Sequence, residues 1–289
     1  MARAMVNCTF CGDLDVPSSE EDAIPRWIVK KMGWAARQHH PDLAPEFVEH
    51  TYVDQESFEV DISDQAIGTR SVGKNVRGAI PVCDKLPNVC ETCNRGWMSR
   101  LENSTKQIIE GFFFGRDKVI DPVDMFTLAT WICKTCLAYD ASYDDRWIAP
   151  EVGTRRLFET GYPIFGFQAY IAHDPKHTPE GALLHSRGPR GRLTRVDGST
   201  FDVVRFGFQF DHMVIAAVIN CFDEQMVSER AVGMGMNIDS PCYLQVWPYV
   251  SRATWPSPGS RIPSSPRRPT RWAQQPVGEQ TPDSETNPS

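Results

Sequence analysis

Between Val204 and Phe210 the chain alternates: Val204, Phe206, Phe208 and Phe210 fall on one side of an extended backbone, with Arg205, Gly207 and Gln209 between them. A period of two predicts a half-buried strand. Asp211-His212 then offers a turn into Met213–Cys221, an apolar, β-branched run suited to a central strand. Ile164–Ile171 and Tyr243–Trp247 are further strand candidates. Upstream the period lengthens. Asp121-Pro122-Val123-Asp124 combines an N-cap acid, proline at the first helical position and a second acid in the first turn. The helix it opens carries Met125, Leu128, Ile132, Cys136 and Tyr139 on one face. A shorter helix is predicted over Thr154 to Thr160.

The N-terminal third is less regular. Cys8 to Gly12 reads as a short strand or turn, followed by an acidic loop. Pro25 opens a short helix with Trp27, Ile28 and Met32 on one side and Gly33 as its stop. Residues 51–82 alternate weakly and suggest a hairpin or two. A helix starts near Cys93 or Ser99 and buries Trp97, Leu101, Ile108, Ile109 and Phe112, with Ser99 and Glu102 at capping-box spacing. The pattern is α+β, divided as 1–115, 116–250 and 251–289. The last stretch is rich in Pro, Ser, Arg and Gln and poor in aliphatic residues, so it reads as a disordered tail.

At 289 residues and 41% apolar, with 8 Trp and 15 Phe, the chain can build a sizeable core. The longest apolar run, Met213 to Ile219, is too short to cross a bilayer, and no basic-then-apolar leader opens the sequence. A cytoplasmic protein without membrane association is the expectation. The net charge of −7 argues against a surface coated for nucleic acid. Up to Val250 there are 25 basic and 34 acidic residues, whereas Ser251 to Trp272 holds five arginines and no acid. Phosphate affinity would therefore need a local patch, a metal or the tail.

Nine cysteines, two pairs of them at metal-ligand spacing, suit a reducing compartment better than a disulfide framework. Cys8-Thr9-Phe10-Cys11-Gly12 can direct two sulfurs at one ion if the backbone turns tightly, and Gly12 tolerates the positive φ such a turn needs. Cys90-Glu91-Thr92-Cys93 lies where a helix N-terminus favours thiolate over thiol. Four thiolates make a closed, structural Zn²⁺ site. The competing reading is four free core thiols; within the zinc reading, Cys83 could replace one ligand, though it lacks the spacing. Cys133 and Cys136 also read Cys-x-x-Cys, but Cys136 lies on the apolar helix face; only Cys221 and Cys242 remain as partners, and core thiols are the expectation. Trp27 and Trp97 are expected to pack around the zinc.

Between the two pairs stands Glu21-Asp22-Ala23-Ile24-Pro25-Arg26-Trp27-Ile28, and the second pair opens the phrase Cys-x-x-Cys-Asn-x-Gly-Trp-Met-Ser-x-Leu-Glu from Cys90 to Glu102. In these motifs the chain resembles the zinc-containing HNH endonuclease superfamily, in a divergent actinobacterial or phage-type branch. The resemblance extends over 1–250, with its specific motifs in 8–12, 21–28 and 90–102. It implies a treble-clef-like (ββα-metal) zinc module at 1–115, metal-dependent hydrolysis of DNA or RNA, and a catalytic Mg²⁺ or Mn²⁺ beside the structural Zn²⁺. Mapped on this sequence, Glu21 falls on the metal-binding acid, Asp22 on the general base and Asn94 on the helix-opening position that completes the metal site. Asp22 stands where the family has histidine, and a solvated carboxylate is a weaker base at neutral pH than imidazole. The family's middle asparagine has no counterpart, since Asn88 is too close to Cys90 and Asn75 too far. His39, His40 or His50 could supply a base instead. Two functions follow: an HNH-like nuclease impaired by Asp22, or a catalytically inactive, zinc-stabilised binding protein. For Glu21-Asp22 the competing reading is a solvated acidic loop, and for Asn94 a helix cap.

Overall fold

A computed structural model describes residues 4–25, 27–28, 50–55, 58–60, 71–76, 85–113, 118–142, 146–173, 183–187, 191–194, 200–210, 212–221, 243–248 and 253–255. Strands β1 (Met5–Val6), β2 (Val16–Asp22) and β6 (Lys85–Cys90) form a small antiparallel sheet. The larger sheet runs in the order β13 (Leu244–Trp247), β8 (Phe167–His173), β12 (Met213–Cys221), β11 (Thr200–Phe210), β9 (Leu183–Arg187), β3 (His50–Gln55), β5 (Ser71–Val76). Two more strands extend it: β10 (Gly191–Thr194) pairs with β11, and β4 (Phe58–Val60) pairs with β10. Helical structure follows β6 directly: a first turn α1 (Glu91–Cys93), a wider turn over Asn94–Met98, and α2 (Ser99–Phe113). Then come β7 (Lys118–Ile120), α3 (Pro122–Ala141) and α4 (Thr154–Thr160). The fold is mixed α and β, and no helix among the described residues is long and apolar enough to cross a membrane.

Local signals place several elements where the pattern put them. Asp121 caps α3 through its carboxylate, which accepts from the Asp124 N–H at 2.8 Å, and Pro122 takes the first helical position. In the β11–β12 pair, Phe210 lies opposite Met213, which leaves only positions 211 and 212 for the turn. Gly161 ends α4 at φ 67°, with its N–H on the Leu157 carbonyl at 2.9 Å.

Three expectations change. First, β11 is buried on both faces: Arg205 is 2% and Gln209 5% exposed, against a predicted solvent side. The alternation does separate two faces, but the second is an internal polar layer. Register aligns Arg205 with Val218 and Gln168, and the Tyr170 hydroxyl lies 3.1 Å from Gln168 Oε1. Second, α3 is buried on every side from Leu128 to Asp140, not along one stripe. Its residues Trp131 and Tyr139 meet Phe210 and Phe208 of the large sheet, with ring centroids 6.2 and 5.8 Å apart. The same core holds Ile108, Ile109 and Phe112 of α2, and Ala138 belongs to a second cluster with Cys8, Phe10, Leu86, Val89, Cys90, Cys93 and Met98. The boundary at 115 thus does not separate two cores; residues from both sides share one. Strands β3 to β5, from the N-terminal part, also join the large sheet.

Third, Ser99 does not cap α2. It is itself helical (φ −63°, ψ −38°), its N–H bonding the Asn94 and Gly96 carbonyls across the break at Gly96, so the Ser99–Glu102 capping box does not form. Trp27 and Ile28 are helical as expected, although Trp27 packs on Trp131 at 6.4 Å, in the main core and not around the cysteines. Met32, Gly33, Cys83 and Cys242 lie outside the described residues.

Past position 250, β14 (Ala253–Trp255) pairs antiparallel with β7. The remainder of the tail lies outside the described residues. Truncation after Val250 removes this strand and should lower the melting temperature, whereas truncation after Trp255 should leave it unchanged. Equal melting of the two truncated proteins, measured by differential scanning calorimetry, would show that the β7–β14 ladder contributes nothing.

Candidate metal centre

The first cysteine pair is shaped by its own backbone. The Gly12 N–H bonds the Cys8 carbonyl at 2.9 Å, the Cys8 N–H bonds the Asp13 carbonyl at 2.8 Å, and Gly12 adopts φ 79°. The resulting knuckle is tied to β6 by the Thr9 N–H on the Asn88 carbonyl at 2.8 Å. The second pair sits at a helix start, where Cys90 is the N-cap and its sulfur accepts from the Cys93 N–H at 3.3 Å. The Cys90 N–H in turn points at Cys8 Sγ, 3.4 Å away.

Folding closes the 78-residue gap between the pairs: all four sulfurs lie within 4.8 Å of one another. Cys11 Sγ and Cys90 Sγ are 3.7 Å apart. That is too long for a disulfide, and it matches the sulfur spacing of about 3.8 Å that tetrahedral Zn–S bonds of about 2.3 Å impose. Cys8, Cys90 and Cys93 are 3%, 2% and 1% exposed, and Cys11 is half-buried. Donor set and spacing fit a closed structural site for a thiophilic divalent ion such as Zn²⁺.

The thiols do not share charge evenly. Cys8 is pulled down to about 4, chiefly by the Cys93 thiol donating to it, with the N–H groups of Cys90, Cys11 and Phe10 helping against burial. Burial pushes Cys11 up to about 12, and the bond to Cys8 together with burial drives Cys93 upward. One thiolate is thus favoured while its neighbours hold protons, and a bound dication would displace those protons. Metal affinity must therefore fall as pH falls.

Glu21, expected to bind a catalytic cation, meets a different one. The Lys134 ammonium of α3 lies 2.8 Å from Glu21 Oε1 and 3.0 Å from Glu102 Oε1, and the lysine side chain is fully buried. Burial acts against the Lys134 charge, yet the two carboxylates hold its pKa above the ordinary value. Burial also raises Glu21, opposed by that ammonium. Asp22, next along β2, is 7% exposed and pairs with Lys85 in the β2–β6 ladder. Neither carboxylate belongs to a solvated loop. Asn94 donates from Nδ2 to Ser19 Oγ at 3.1 Å, and Ser19 Oγ donates to the Val89 carbonyl at 3.0 Å. Asn94 therefore straps the helix start to the β2–β6 pair.

Sequence reasoning missed Lys134 and Glu102. A signal for Lys134 was available, since a lone lysine within Leu128–Tyr139 must find countercharge if that segment is buried on all sides. Cys133 and Cys136 are fully buried core thiols, Cys133 held up to about 12 by burial. His39 and His40 lie outside the described residues, as does the side chain of His50.

No family model, curated protein or solved structure matches the chain. What fold and site together define is a mixed α and β protein with a four-cysteine centre able to hold a metal such as zinc.

Two measurements probe these features. Purified protein should contain one zinc per chain by elemental analysis, and Cys93→Ser should lose it and become protease-sensitive, since structural zinc contributes on the order of 10 kcal/mol. Folded protein without stoichiometric metal would exclude the site. Lys134→Met leaves two carboxylates facing each other without a cation, at a cost of about 3–5 kcal/mol. Burial, no longer opposed by that ammonium, then holds the Glu21 carboxyl further above its ordinary value. The variant should therefore regain stability, relative to wild type, as pH falls from about 7.5 to about 5.5. Urea denaturation at the two pH values reads this directly.

Proposed function

We propose that the chain is a non-hydrolytic, zinc-stabilised binding protein whose N-terminal module is a treble clef similar to that of the HNH nucleases. The order of parts supports the treble-clef reading: a cysteine knuckle, the antiparallel β2–β6 pair, then a helix whose first turn carries the second pair. Glu21 and Asp22 end β2, and Asn94 follows the first helical turn; these are the residues that the resemblance to that superfamily would assign to its site.

One observation carries the non-hydrolytic reading: Lys134 Nζ already occupies the cationic position at Glu21. A divalent ion there would have to displace a buried ammonium bonded to two carboxylates, or accept electrostatic repulsion from it. Asp22 compounds the difficulty, being a carboxylate where imidazole would activate water. The acidic excess up to Val250 disfavours a broad nucleic-acid surface and points to a protein or small-molecule partner; contact with DNA or RNA falls to the arginine run that ends at Arg271.

The hydrolytic alternative draws its support from Asn94 and from the order of strand pair and helix. Zinc-loaded protein incubated with single-stranded DNA, duplex DNA or RNA, in Mg²⁺ or Mn²⁺, separates the two readings. No cleavage above the protein-free control is expected, with Asp22→His equally silent. Metal-dependent cleavage that Glu21→Ala abolishes while zinc is retained would establish the nuclease instead.

A further inference from the structure

The cysteine knuckle is gripped from outside by residues that follow α3 in the chain. Thr154, at the start of α4, donates its hydroxyl to the Thr9 carbonyl at 2.7 Å, between the first two cysteines. Arg155 lays its guanidinium against Gly12: a Cβ added there would meet Nη2 at 2.7 Å and Cζ and Nε at 2.9 Å. Phe158 packs on Trp97, with centroids 6.2 Å apart, and Trp97 packs edge-on against Phe10 of the knuckle at 5.6 Å. Trp97 itself follows Cys93 by four positions, so one indole touches the loop of the first pair and belongs to the helix of the second.

Two polar atoms in this shell are unusual. Arg155 Nε and Trp97 Nε1 are both buried with no hydrogen-bond acceptor at ordinary distance. Leaving a buried donor unmet is costly, and such atoms ask for an acceptor. Trp97 packs on Phe10, which lies between Cys8 and Cys11, and it follows Cys93 by four positions, so the cysteine sulfurs are the acceptors that its place in the fold offers. A dication held by four thiolates carries a net charge of about −2, spread over sulfurs that accept N–H bonds. Excess negative charge in so buried a place calls for donors and positive charge close by.

We propose that Trp97 and Arg155 complete the metal centre from outside its ligand set, Trp97 as an N–H donor to the Cys93 sulfur and Arg155 as the positive charge set against the knuckle at Gly12. Both are positioning residues: neither binds the ion, and each makes the four-thiolate charge less costly to bury. The glycine at position 12 acquires a second role, because a side chain there would displace the guanidinium as well as strain the positive φ. This inference rests on the centre holding zinc, as the proposed function does.

The test uses the full-length protein. Zinc affinity is measured by competition with a chromogenic chelator, and the thiolate-to-metal charge-transfer band is recorded after Co²⁺ substitution. Trp97→Phe keeps the ring between Phe10 and Phe158 and removes only the donor; it should weaken zinc binding about 10-fold and shift the Co²⁺ band. Arg155→Gln should weaken it about as much, and Arg155→Lys should recover part of the loss. A purely structural role would lower the melting temperature of metal-free and metal-loaded protein equally and leave affinity and band unchanged, and that outcome overturns the proposal. If Trp97→Phe is insoluble, Arg155→Gln against Arg155→Lys decides alone. Wild-type protein that takes up no zinc removes the centre and the zinc-based function together. Wild type that binds zinc no more tightly than its variants removes only the role of the two residues.

Discussion

An ammonium group with no access to water has to be surrounded by negative charge, and a helix that carries one into a core dictates what may pack beside it. Lys134 imposes that condition here. It sits at the middle of α3, the helix buried on every side, and its two carboxylates arrive from different elements, Glu21 from the end of β2 and Glu102 from α2. β2, α2 and α3 are therefore held in one arrangement by an interaction that fails if any of the three shifts. Because removing one partner of such a set strands the others, the triad fixes geometry more than it adds stability.

The four-cysteine centre depends on that arrangement. Its two halves are far apart in sequence, and bringing them together costs loop-closure entropy before any ligand is bound. The β2–β6 ladder brings residue 18 opposite Cys90, the Thr9 N–H reaches Asn88, and Ala138 of α3 closes the cluster from the far side. α4 then docks on the knuckle through Thr154 and Arg155, and on Trp97 through Phe158. Metal bound at this point is linked to packing on both sides of position 115, which is why one core serves what the sequence divides in two.

The same packing bears on function. A carboxylate that a nuclease would keep for a cation is here committed to an internal one, and an asparagine available as a ligand is committed to Ser19. Glu21 and Asn94 thus take part in holding β2, the helix start and α3 together. The polar layer on the second face of β11, with Arg205 pulled down to about 10 by burial, shows the same tolerance for buried polarity elsewhere in the fold.

By itself the sequence determined what short-range geometry controls. Cysteines three apart before a glycine or at a helix start, Asp121-Pro122-Val123-Asp124 as a helix opening, and the β11–β12 hairpin all depend on neighbours within a few residues, and all are found where the pattern put them. Tertiary structure decided what depends on encounters between distant segments. Glu102 has the spacing of a capping box, yet it is 3.0 Å from a lysine 32 positions away, because the break at Gly96 makes Ser99 helical and leaves no cap to build. Trp27 went to Trp131 and not to the cysteines, and residues 253–255 became a strand because β7 offered an edge. Periodicity reports which side of an element is apolar, whereas the identity of what lies against that side is set only when the chain has folded.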